Sequence, residues 1–109
     1  MIRIWHNVNL RMDTPSTFAD SHALVATINT DNLDDAYGRS QHLDSPWFMG
    51  AGITRHADAD RIRSTSVGDV LEHADGPLNG ALFFVKNVGF KRIDPLEVFT
   101  WKTAYDEVA

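Results

Sequence analysis

The sequence predicts an α+β domain: a curved, mostly antiparallel sheet or small partly open barrel, with one main helix packed on it. Three observations point there. Short segments either alternate apolar and polar residues or run as β-branched stretches, the signature of strands. One stretch, about 33–43, carries the i, i+3, i+4, i+7 spacing of a helix. Residues 70–86 read as a hairpin around Asp75-Gly76-Pro77-Leu78-Asn79-Gly80, the strongest turn signal in the chain.

The elements follow in order. Ile2 to Leu10 has period two, with Ile2, Ile4, His6, Val8 and Leu10 in one phase. Met12 to Ser21 holds turn chemistry at Asp13, Thr14, Pro15 and Ser16, with Phe18 placed to plug beneath it. His22 to Asn29 is a second strand, with Leu24, Ala26 and Ile28 on one face. Thr30-Asp31-Asn32 caps the helix, and Asp34 and Asp35 suit the positive end of its dipole. Leu33, Ala36, Tyr37, Ser40 and Leu43 form its stripe. Gly38 inside it implies close packing against a sheet, since glycine there costs about 1 kcal/mol relative to alanine. Asp44-Ser45-Pro46 stops the helix.

Ile53 to His56 is a short strand. Ser66-Val67-Gly68-Asp69 is a turn feeding a strand from Val70 to His73. Ala81 to Lys86 is the next strand. Residues Asn87 to Ile93 stay extended, with a bulge or bend at Gly89. The tail from Asp94-Pro95 reads as a short helix or an irregular packing tail.

The chain has 109 residues, which fits a single domain over 1–109 with its own core. No run of 18 or more apolar residues occurs, so no spanning helix is expected and no membrane partner either. No signal-peptide pattern appears at the start. The absence of cysteine removes disulfides, thiolate catalysis and cysteine metal sites, and it fits a cytoplasmic protein. The net charge is −5, with three basic and six acidic residues in 1–54 and seven and nine in 55–109. That balance argues against a dedicated DNA-backbone binder.

No catalytic constellation is found. The five histidines lack helical i, i+4 spacing, and a site built from His42, His56 and Asp58 or Asp60 would need the fold to assemble it. Neither a metal nor a cofactor is expected. Gly50-Ala51-Gly52 has no further glycine or Gly-Lys-Ser/Thr to make a phosphate loop, and Ser64-Thr65-Ser66 lacks a nucleophile elbow. Two surfaces stand out instead. Trp47, Phe48 and Met49 lie between a proline stop and a glycine-rich loop, a composition suited to a protein-binding surface, with Arg61 and Arg63 nearby. The alternative is a nucleic-acid patch of Arg55, Arg61, Arg63, Lys86, Lys91 and Arg92.

The stretch Arg63-Ser64-Thr65-Ser66-Val67-Gly68-Asp69-Val70, followed by Asp75-Gly76, Phe83-Phe84-Val85 and Val88-Gly89-Phe90, resembles the YodL-like module of phage and conjugative-element polyvalent proteins. The earlier Asn32-Leu33-Asp34-Asp35-Ala36, His42-Leu43-Asp44 and Trp47 also look like small phage and plasmid proteins with this ending. The likeness covers most of the chain and departs from Asp94 onward. It implies a mobile-element accessory protein and nothing finer, and it supplies no catalytic residues. Together with the absence of a catalytic constellation, it leads to the expectation of a non-enzymatic protein that binds a host or element protein, in counter-defence or host takeover, in the cytoplasm of the host cell. Physically, Gly68 suits a positive φ and Asp69 can accept backbone N–H groups across the turn. Val70, Phe83, Val85 and Phe90 are expected in one core.

Overall fold

In the computed structural model, which describes residues 1–8, 16–43 and 45–98, β1 (Ile2–Asn7) lies inside a six-stranded sheet. The other strands are β2 (His22–Ile28), β3 (Ile53–Arg55), β4 (Val70–His73), β5 (Leu82–Val85) and β6 (Phe90–Ile93). Their order is β3-β2-β1-β4-β5-β6, and every neighbouring pair is antiparallel. β3 and β6 are edges, so the sheet is open. The α+β expectation holds.

Alternation in β1 divides the core. Ile2 and Ile4 bury on one face with Val25, Ala26, Ile28, Leu71 and Val85. The helix α2 (Leu33–Arg39) covers that face with Ala36, Leu33 and Tyr37, joined by Trp47 and Ile62 from the following loops. The opposite face gathers Val70, Leu82, Phe84 and Ile93, with Trp5, Phe18 and Val67 packed on them. Phe18, from the single-turn helix α1 (Phe18–Ser21), meets Trp5 edge to face at 4.9 Å. The expected common core of Val70, Phe83, Val85 and Phe90 is therefore split, because residues one apart on a strand point to opposite faces. Val70 goes to one side, and Val85 and Phe90 to the other.

One irregularity shapes β2. Ile4 pairs with Ala26 but Trp5 pairs with Leu24, so Val25 is an extra residue in the ladder. The bulge reverses the phase of everything before it. Val25 and Ala26 are both buried on the helix face, and Leu24 stands opposite Trp5. The expected common face of Leu24, Ala26 and Ile28 fails for that reason. Ala23 becomes the partner of His6, so a small side chain stands beside that imidazole.

The Asn32 side chain caps α2 by accepting the Asp35 N–H at 2.9 Å, and Arg39 reaches back to Asp35 at 3.6 Å. The helix ends at Arg39 rather than residue 43. Ser40 turns its carbonyl to the Thr65 N–H at 2.9 Å, and the Gln41 amide donates to both Tyr37 O and Thr65 O. These bonds draw the chain off the helix axis, and Leu43 projects outward at 84% exposure. Gly38 packs against nothing, since a Cβ there would meet no atom within 4 Å.

The hairpin expected over 70–86 is β4–β5. Gly89, at φ +73°, makes the turn between β5 and β6. Residues 94–98 form one turn rather than a helix, with Asp94 accepting the Leu96 and Glu97 N–H groups. Expectations for Leu10, the turn over 12–15, Asp44 and the chain beyond residue 98 lie outside the described residues. Among the described residues no helix is long and apolar enough to cross a membrane.

Open space around Gly38 gives a direct expectation. Gly38→Ala should stabilise the fold by about 0.5–1 kcal/mol. Thermal unfolding should register this as a Tm rise of about 2–6 °C; a lower Tm would show that the glycine is needed.

Candidate functional site

Asp69 is fully buried and accepts four hydrogen bonds. Arg63 forks onto both carboxylate oxygens, Nη1 to Oδ2 at 2.6 Å and Nη2 to Oδ1 at 2.8 Å. The Ser66 N–H reaches Oδ2 and the Asn7 N–H reaches Oδ1, each at 2.8 Å. The carboxylate thus ties the 63–69 loop to the end of β1. Gly68 makes this possible at φ +94°, closing a turn in which Asp69 N–H donates to Ser66 O at 3.1 Å. The Arg-Ser-Thr-Ser-Val-Gly-Asp segment is therefore a latch. Its hydrogen bonds to Asp69 hold the Arg63 guanidinium above its ordinary pKa.

Two buried imidazoles flank the latch. His6 Nε2 lies 3.0 Å from Thr65 Oγ1 and 3.9 Å from Asp69 Oδ2, while its Nδ1 is buried with no partner. Burial pushes the His6 pKa down from 6.5 to about 4, against the opposing pull of Asp69. His22 Nε2 donates to Gly68 O at 2.7 Å, and burial lowers its pKa as well. A third imidazole acts as a clamp. His42 Nε2 donates to Ile62 O at 3.0 Å, and Nδ1 accepts the Trp47 N–H at 3.2 Å. With both ring nitrogens engaged, His42 is not placed to join His56 and Asp58 or Asp60 around a metal. Among the described residues no three such groups cluster for one.

Beside the latch a cleft of about 620 Å³ opens at the end of the sheet. His6, Asn7 and Val8 come from β1 and its end, Ala23 and Val25 from β2, and Arg55 from β3. The 56–63 loop closes it with His56, Ala57, Asp58, Arg61 and Arg63. Arg63 is committed to Asp69. Among the described residues neither Arg55 nor Arg61 has a carboxylate within 4.0 Å; Arg55 instead stacks over the Phe48 ring at 5.7 Å.

The structure separates the residues of the expected protein-binding surface. Trp47 is only 4% exposed, and its indole N–H donates to Arg63 O at 2.8 Å, so it belongs to the core. Phe48 is half-buried and Met49 is 74% exposed. Arg61 and Arg63 line the cleft. The expected nucleic-acid patch does not form one surface. Arg55 ends one edge strand, whereas Lys91 and Arg92 lie on the other and Lys86 just before its turn, about 24 Å away across five strand spacings. Lys91 is paired with Glu97 at 3.3 Å. Sequence reasoning missed His6 and Arg55 as residues of one cleft, because β2 separates their strands and the Val25 bulge that puts the small Ala23 beside His6 has no local sequence signal. Compared with known proteins, the chain matches no family model, no curated protein and no solved structure.

Three outcomes follow. Arg63→Ala leaves a buried carboxylate with two backbone donors and no counter-charge, and should cost about 3 kcal/mol in urea unfolding; Arg63→Lys should recover only part, lacking the fork. Trp47→Ala should cost about 3–5 kcal/mol, where a surface residue would cost almost nothing. The folded His6 value lies below the unfolded one, so the unfolded chain protonates first as pH falls. Stability present above pH 6.5 should be lost towards pH 4, by about 3 kcal/mol at 1.36 kcal/mol per unit. His6→Gln should flatten that slope, and an unchanged slope would remove His6 as its source.

Proposed function

We propose that the chain is a non-enzymatic accessory module, of the phage and plasmid kind its sequence resembles, that works by binding a protein of the host or of the element. Its work belongs, on this reading, to the cytoplasm of the host cell, in counter-defence or host takeover. One observation carries the binding surface. Arg55 lines the arginine cleft and also stacks over Phe48, so the cleft and the Phe48–Met49 rim are continuous. An exposed methionine beside an aromatic ring and guanidinium groups is the composition of an interface anchor.

Tagged protein should capture a protein partner from host lysate that survives nuclease treatment. Met49→Asp, at a solvent-facing position, should lose that partner with its far-UV circular dichroism unchanged. Capture that disappears with nuclease, or that Met49→Asp and Phe48→Ala leave intact, would contradict the reading.

A further inference from the structure

The cleft holds more charge than the latch uses. Once Arg63 is matched to Asp69, Arg55 and Arg61 remain, and among the described residues the one carboxylate that lines the cleft, Asp58, lies within 4.0 Å of neither. The chain as a whole carries −5, so this is a local reversal of sign. Guanidinium pairs suit a planar carboxylate, which accepts the two parallel N–H groups of each fork. The lining also includes three short apolar side chains, Ala23, Val25 and Ala57, beside the polar Asn7 and His56. Such apolar side chains suit methylene groups rather than a second charge. His6 also lines the cleft and is 3% exposed.

We propose that this cleft takes the carboxylate side chain of a glutamate or aspartate on the bound protein, with Arg55 and Arg61 as the residues that select it. The inference rests on the protein-binding reading and names the chemistry the partner presents. Methylenes lie along Ala23, Val25 and Ala57, and the carboxylate lies between the two guanidiniums. The Phe48–Met49 rim meets the apolar residue next to the acid in the partner.

The test uses the purified full chain and NMR titration with four probes. These are a capped pentapeptide with a central glutamate between leucines, the same peptide with glutamine, inorganic phosphate, and a single-stranded oligonucleotide. The glutamate peptide should shift the Arg55, Arg61 and His6 signals and bind about tenfold more tightly than the glutamine peptide, the loss expected for one charged hydrogen-bonded contact. Arg55→Gln and Arg61→Gln should each erase that preference, and Lys86→Gln on the far edge should not. Equal binding of the two peptides, no binding of either, or tighter binding of phosphate or oligonucleotide overturns the assignment. The two proposals fail separately. A nuclease-resistant partner retained by the Arg55→Gln/Arg61→Gln variant overturns the cleft alone. A nuclease-sensitive capture with an intact glutamate preference overturns the protein-partner reading alone.

Discussion

A single buried carboxylate organises this protein. Asp69 is fully inaccessible and would be costly to bury alone, so its surroundings are built to satisfy it. The fork of Arg63 supplies counter-charge, and two backbone N–H groups from separate parts of the chain complete the shell. Each donor fixes something further. Asn7 marks the end of β1, Ser66 the loop, and Arg63 the strand-like segment whose carbonyl receives the Trp47 indole. Asp69 is the acceptor common to all three, so its loss would release contacts in all three places.

The cleft is a consequence of this arrangement. The latch consumes one of three arginines and leaves two facing open space. The Val25 bulge sets Ala23 against His6, so the floor of the sheet is not filled by a large side chain there. Had β2 kept its phase, Leu24 would face that space and close it. Architecture and candidate site thus share a cause: one inserted residue in a ladder and one carboxylate that holds the loop above it.

Much of the fold was legible from local pattern. The strands beginning at Ile2, His22, Ile53 and Val70, the Asn32 cap, the Gly68 turn and the 70–86 hairpin all rest on short-range rules, and each appears where those rules put it. The failures are non-local. Helix α2 stops at Arg39 because Ser40 and Gln41 bond to Thr65, a residue far along the chain. Trp47 looks like a surface anchor in sequence, beside proline and glycine, yet its indole finds Arg63 O across the loop. The six basic residues of the nucleic-acid patch read as one group, but strand order puts Arg55 on one edge and Lys91 and Arg92 on the other. Asp69 was legible as a turn acceptor, while its four-donor shell depended on β1 arriving from the other end of the chain.

The central claim concerns two N–H groups that no strand ladder protects. Native-state amide hydrogen exchange of Asn7 and Ser66 tests it most directly. If Asp69 ties loop to strand, both amides exchange only through global unfolding, with protection matching that of Ile4 in the middle of β1. Fast exchange at Asn7 and Ser66 while Ile4 stays protected would contradict the account, because the carboxylate would then sit in a loop that opens on its own.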